Sequence, residues 1–167
     1  MTVKGNVCEE QTSRRLEKAV IVHASAEAIW RAWTTSEGAK EFFAPEATIE
    51  LHPGGKYEIL FDLEASPGSK GSEGCQVVSY KPLRELILTW NNPPEFKEIR
   101  NCYARVTIEI EPLDAVSCRL MIVHDDWGKG GQWEEAFNYF DRAWDVVLRR
   151  LVERFSSGPI DWPSVGH

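Results

Sequence analysis

The residues best equipped for chemistry in this chain sit near the ends of strand-like runs. The run VSCRLMIVHDD (116–126) alternates so that Cys118, Leu120, Ile122 and His124 share one face, which carries His124 inward with the apolar set. An imidazole at the rim of an apolar interior can orient a polar ligand or exchange a proton near neutral pH. Asp125 and Asp126 follow it and could orient the ring. The plainer alternatives are a hydrogen-bonded histidine that closes the core, and aspartates that serve the loop and the start of the next helix, where negative charge is favoured. No serine or cysteine nucleophile can be placed beside His124 from the sequence, so no triad is drawn. No catalytic residue is assigned; His124 and Asp125 are the positions on which an acid or base role would fall.

A second set is aromatic. Tyr57, Phe61, Trp90, Trp133, Phe137, Phe140 and Trp144 are spaced to project from strands and a helix toward one interior. They can line a pocket of a few hundred Å³ or fill the same space solidly, and both readings stay open. With the polar groups near the same rim, the expected ligand-binding set is Tyr57, Phe61, Asp62, Trp90, Tyr103, His124, Trp133, Phe137 and Phe140; Asn101 lies beside it. Glu58 and Asp62 share a strand face that reads as wet, so a glycosidase-like acid pair is not indicated. Pro53-Gly54-Gly55 is followed by no helix, which rules out a phosphate-cradling loop. His23 and His52 have no carboxylate or thiol at ligand spacing, and Cys8, Cys75, Cys102 and Cys118 form no C-x-x-C pair. Neither a metal nor a cofactor is expected, and the four cysteines read as reduced, mostly buried thiols.

These groups need elements to hold them. The C-terminal stretch GQWEEAFNYFDRAWDVVLRRLVERF (131–155) places Trp133, Phe137, Phe140, Trp144, Val147/Leu148, Leu151 and Phe155 at steps of three and four, which is one helical stripe. Its other face is polar, with Asp145–Arg149 and Arg149–Glu153 spaced for surface ion pairs. Such a helix is about 37 Å long and needs a broad apolar surface opposite.

The rest of the chain supplies that surface. Leu16 to His23 reads as a strand; Ser25 is a suitable N-cap for a helix over AEAIWRAWTT, and a second short helix runs from Ser36 to Phe43, before Pro45. From Ala47 the period changes to two. ATIELH, a Pro-Gly-Gly turn and KYEILFDL form a hairpin, and CQVVSY, LRELILTW, 99–111 and 116–126 give four more antiparallel strands. Residues 65–74 read as a flexible connection. The loops 64–73, 91–98 and 125–130 should gather at one rim, where the long helix begins.

Net charge is −7 with acidic residues spread along the chain, so no basic patch is present to track nucleic acid or an anionic membrane. There is no apolar run long enough to insert in a membrane, and the N-terminus lacks a signal-peptide centre, so a cytoplasmic location is expected. The 167 residues, 43% hydrophobic, suit one domain at 14–158, flanked by a disordered segment at 1–13 and a tail at 159–167 onto which Trp162 can dock back.

The element order, together with ASAEAIWRAWT, PGGKYEI, CQVVSYKPLRELILTW, LMIVHDDW and the closing tryptophan-bearing helix, resembles the START-like (SRPBCC) helix-grip superfamily, in particular its branch like the activator of Hsp90 ATPase homologue. The resemblance covers about residues 14–158. It implies an α+β fold in which a curved antiparallel sheet of about seven strands wraps a long C-terminal helix, with two short helices after the first strand. It also implies a cavity between sheet and helix. The superfamily uses that cavity for several purposes, and fold does not choose among them. Binding of a small hydrophobic or aromatic molecule is the leading expectation. The alternatives are a cyclase- or hydrolase-type enzyme with His124 as acid or base, and a co-chaperone-like interaction domain presenting Trp127, Trp162 or a sheet edge to a chaperone or to a second copy in a homodimer. The missing nucleophile and metal motif weigh against the enzyme.

Overall fold

The computed structural model describes Cys8 and residues 11–162. Ten elements follow in chain order: β1 (Leu16–Val22), α1 (Ala26–Thr34), α2 (Ser36–Lys40), β2 (Glu46–Ile49), β3 (Tyr57–Leu60), β4 (Val77–Lys81), β5 (Glu85–Trp90), β6 (Ala104–Asp114), β7 (Ser117–Asp125) and α3 (Gln132–Ser157). The order matches the sequence expectation, with α2 shorter than predicted.

The alternation in β6 decides how the sheet lies. Ala104, Val106, Ile108 and Ile110 are buried while Arg105 faces solvent, so one face packs and the other is wet. Five strands pair in the order β1-β7-β6-β5-β4, all neighbours antiparallel. β2 and β3 form their own hairpin, with Glu46 opposite Leu60 and Ile49 opposite Tyr57. The seven strands are therefore not one regular ladder. The hairpin meets the segment before β4 through single bridges, Lys56–Gln76 and Leu60–Gly71, and through Tyr57 N–H donating to Cys75 O at 2.8 Å.

Buried Ser72 repairs the gap. Its hydroxyl accepts from Ile59 N–H at 2.7 Å and donates to Tyr57 O at 3.0 Å, taking the part of absent ladder bonds. Beside it a Cβ on Gly71 would fall 2.0 Å from Ile59 O, so only glycine lets the two backbones approach. Residues 65–74 are not a flexible connection, as the sequence suggested. The Glu73 carboxylate accepts N–H groups of Gly68, Lys70 and Gly71, and Arg100 reaches Gly71 O at 2.9 Å and Glu73 Oε1 at 3.2 Å. Burial raises the Glu73 carboxyl pKa, but these hydrogen bonds and the Arg100 charge outweigh it, and the net shift is downward.

The helix α3 lays Trp133, Ala136, Phe140, Trp144, Val147, Leu148 and Leu151 onto the sheet. The surface pairs expected at Asp145–Arg149 and Arg149–Glu153 are not among the ion pairs of the described residues, and the acidic residues reach off the helix instead. Asp141 and Asp145 straddle Lys18 of β1 at 2.7 and 3.2 Å, and Glu134 pairs with Arg14, so the charges fix the helix across the sheet edge. The α1 N-cap is as predicted, Ser25 Oγ accepting from Ala28 N–H at 3.1 Å. At the far end of α3, Arg154 and Arg31 share Glu41, just past α2. The tail then folds back: Ile160 N–H donates to Glu41 O, and Trp162 Nε1–H donates to Lys40 O at 2.6 Å.

Two further expectations need correction. Cys8 and Cys102 form a disulfide; only Cys75 and Cys118 are buried free thiols. The reading of four reduced cysteines, which suited a cytoplasmic setting, therefore holds for two of them, since disulfides favour oxidising compartments. The sequence missed the bridge because a separation of 94 residues carries no local signal. Second, order begins before residue 14. Gln11 bridges Gly128, and Thr12 N–H donates to Trp127 O at 2.8 Å. Residues 1–7 and 9–10 of the segment expected to be disordered, and 163–167 of the tail, lie outside the described residues. Among the described residues no helix is long and apolar enough to cross a membrane.

Candidate functional site

α3 carries a second stripe beside the one that grips the sheet. Tyr139, Ala143, Val146 and Arg150 recur at steps of four, three and four and, with Arg142, form one wall of a groove. The facing wall comes from three other elements: Phe43 and Pro45 between α2 and β2, Phe61 and Asp62 just past β3, and Trp90 at the end of β5. Trp162 of the folded-back tail closes one end. The groove has a volume of about 670 Å³, within the range of small-molecule sites.

Its floor is a continuous set of rings. Phe43 stacks near Trp90 with centroids 6.0 Å apart and an interplanar angle of 18°, Trp90 lies 5.6 Å from Trp144, and Trp144 is stacked on Phe140 at 6.2 Å. Phe61 meets Phe43 edge-on at 5.8 Å yet stays 39% exposed, an apolar ring left at the mouth. Two guanidiniums, Arg142 and Arg150, and one carboxylate, Asp62, are the charged groups of the lining. Arg150 lies over the Trp162 ring at 5.0 Å. Asp62 Oδ1 accepts from Glu64 N–H at 3.1 Å, which ties it to its own turn.

Of the residues expected to bind, the structure brings Phe61, Asp62, Trp90 and Phe140 to this groove. His124 lies one layer behind it and is fully buried. Trp144 Nε1–H donates to His124 Nδ1 at 3.0 Å, so the neutral ring carries its proton on Nε2, and that nitrogen has no hydrogen-bond partner. Trp127 at 4.2 Å and Phe140 at 4.8 Å enclose the ring, and burial lowers its pKa to about 3. Asp125 does not orient it. That carboxylate is turned to Arg105, which donates two bonds of 3.1 Å. The imidazole is thus a core acceptor for Trp144, the plainer of the two readings, and among the described residues that indole is its one hydrogen-bond partner.

The other expected residues lie elsewhere. Tyr57 is fully buried, and its hydroxyl donates to Trp33 O at 2.6 Å. Tyr103 is exposed, with its hydroxyl over Gly74, and is not part of the groove lining. The loops 64–73 and 91–98 meet at one rim beside the start of α3: the Asn91 side-chain amide donates to Gly71 O and Glu73 O, and Glu98 N–H to Gln132 Oε1. That end is filled, however. Trp127, which the sequence suggested as an exposed contact, is buried between Trp133 and Phe137 at 6.1 and 5.0 Å, and Phe137 is capped by the Arg14 guanidinium. Space opens instead along the middle and C-terminal half of α3. Sequence reasoning missed Phe43, Ala143, Val146, Arg142 and Arg150, and it had Trp162 docking back without placing it at the groove. The recurrence Tyr139-Ala143-Val146-Arg150 was the available signal, hidden because Arg142 and Arg150 place it on the helix's polar side. Among the described residues no group of three or more His, Cys, Asp or Glu is placed to hold a metal ion.

A curved antiparallel sheet closed by two short helices and gripped by a long C-terminal helix, with a groove along that helix, defines a START-like (SRPBCC) helix-grip domain. Within that class the chain belongs to the family described as activator of Hsp90 ATPase homolog 1-like protein, whose sequence profile matches residues 23–156. Solved structures agree on the fold. The Aha1 dimer from Colwellia psychrerythraea is similar at 17% identity over 87% of this chain and 98% of that one, with a TM-score of 0.65. Protein MLL2253 from Mesorhizobium loti gives 17% identity, 88% and 100% coverage and a TM-score of 0.67. An HSP90 activator from Plasmodium falciparum, PFC0360w, gives 16% identity, 87% and 97% coverage and a TM-score of 0.63. Among curated proteins none matches the chain.

Proposed function

We propose that this protein binds a small hydrophobic or aromatic molecule in the groove along α3. The observation that carries the reading is the ring floor of Phe43, Trp90, Phe140 and Trp144 beneath an opening of about 670 Å³. The floor rings are themselves packed, at most 6% exposed, so the apolar surface that a ligand removes from water, at roughly 25 cal/mol for each Å², is chiefly that of Phe61 and Tyr139 on the two walls, each 39% exposed, and the packed rings beneath leave little reorganisation to oppose binding. The cyclase or hydrolase alternative lacks its acid and base here, because His124 is sealed behind Trp144 and Asp125 is paired with Arg105. The Hsp90-activator and dimer descriptions belong to relatives at 16–17% identity, a level that carries fold alone.

The test is direct binding. Titration of 1-naphthalenemethanol should quench tryptophan fluorescence saturably, since Trp90, Trp144 and Trp162 border the site. Ala143→Trp places a ring in the groove and should weaken binding about tenfold or more, as steric exclusion removes the buried area. If the neutral probe does not bind and denatured protein releases no co-purified small molecule in mass spectrometry, the reading is wrong.

A further inference from the structure

The groove is apolar on its floor but not neutral on its helical wall. Arg142 and Arg150 are eight residues apart on α3, about 12 Å along the axis, so they stand at two points of the opening. Other arginines of this protein that approach the core surface have carboxylate partners: Arg100 has Glu73, Arg105 has Asp125, and Arg154 has Glu41. Arg142 and Arg150 do not. Among the described residues no carboxylate lies within 4.0 Å of either guanidinium.

Arg150 is the more constrained of the two. It is half-buried, held over the Trp162 ring, and flanked by the like charge of Arg149. Burial lowers its pKa, Arg149 adds to that, and Glu153 offsets it only from beyond ion-pair range. Asp62, the acidic group of the lining, lies past β3 on the facing wall and is engaged by Glu64 N–H. A partly desolvated guanidinium with its fork unused is a costly arrangement in isolation and a receptive one for an anion.

We propose that the ligand of this groove is an amphipathic carboxylic acid, its apolar body between Phe61 and Tyr139 above the buried ring floor and its carboxylate paired with Arg150. Arg142, at the more exposed point of the same wall, adds attraction on approach. Trp162 has a part in the site by fixing the plane of the Arg150 fork, which makes the docked tail a specificity element. The proposal rests on the groove reading above and specifies its ligand class.

A matched pair of probes separates the two. At pH 7.5 the full-length protein should bind 1-naphthoate at least about tenfold tighter than 1-naphthalenemethanol, the margin expected of one charge-assisted pair in a partly dry site. Arg150→Gln should abolish that preference, so that the two probes bind the variant with equal affinity whatever the change in the neutral probe's own Kd. Arg149→Gln, one position away and outside the lining, should leave the preference in place. Equal affinities for the two probes in the wild type, a preference that survives Arg150→Gln, or an equal loss in Arg149→Gln would each overturn the carboxylate assignment while the groove reading stands. If neither probe binds, the groove reading fails and this inference with it.

Discussion

The Trp144 indole N–H and the His124 Nδ1 meet at 3.0 Å with both residues buried, and this contact joins the middle of α3 to the end of β7. It satisfies the indole donor in an apolar setting, fixes the imidazole as the Nε2–H form, and holds Trp144 in the ring floor beside Trp90. A buried donor left unpaired costs about 1–3 kcal/mol. The histidine is therefore a supporting group for a floor residue.

Its titration follows from that burial. An unfolded chain protonates this imidazole below about pH 6.5, whereas the folded protein does so only near pH 3. Between those values the unfolded state binds more protons, so stability is complete above pH 6.5 and falls as the pH drops toward 3, by about 1.4 kcal/mol per pH unit from this group. His124→Gln keeps an acceptor for Trp144 and should remove one proton's worth of slope from unfolding free energy measured by urea titration between pH 6.5 and 4.5. Equal slopes in the two proteins would show that His124 titrates normally.

Arg100 is expected to hold the 65–74 loop and thereby the irregular junction between β3 and β4. It donates to backbone oxygens of Asn92, Gly68 and Gly71 as well as to Glu73. Arg100→Met leaves those carbonyls short of a donor and should cost about 1–3 kcal/mol. Amide exchange should rise first at Gly68, Lys70 and Gly71, whose N–H groups bind Glu73. Unchanged exchange there would assign the loop's order to Ser72 alone.

Gly128 has a steric role that the sequence does not advertise. A Cβ at this position would lie 2.0 Å from Trp133 Nε1 and 2.2 Å from its Cε2, and that indole is buried at the start of α3. The ring has no free direction to yield, so Gly128→Ala should destabilise by about 1–3 kcal/mol through overpacking. A loss under about 0.5 kcal/mol in urea unfolding would mean that the helix start can shift to accommodate the methyl.

The fold was legible because its signals are periodic and local. The two-residue alternation of β6, the Ser25 cap and the aromatic steps of α3 each specify an element without reference to the rest of the chain. The break between β3 and β4 was not legible, since Gly71 and Ser72 read as ordinary loop residues until Ile59 is placed against them. The same holds for the groove. Trp90, Phe61, Asp62 and Phe140 were named from aromatic and rim patterning, but Phe43 and Trp162 reach the site only through tertiary docking of the α2 end and the tail. His124 was placed correctly on the inward face, yet alternation gives direction and not depth. Its distance from the groove is set by Trp144 and Phe140, residues from another element.

The Cys8–Cys102 bridge gives the last prediction, on the N-terminal strap. It closes a long loop, its ends 94 positions apart in sequence, and it anchors the chain just before Gln11 bridges Gly128 and Arg14 covers Phe137. Constraining an unfolded chain over that distance contributes about 2–4 kcal/mol. Unreduced protein denatured in guanidinium should expose two titratable thiols, Cys75 and Cys118, and reduction should raise the count to four. Cys8→Ser should lower the thermal midpoint and make it insensitive to reductant, while the wild-type midpoint falls on reduction toward that of the variant. Four thiols in the unreduced protein would show the bridge to be absent in solution and would return the strap's anchoring to Thr12, Gln11 and Arg14.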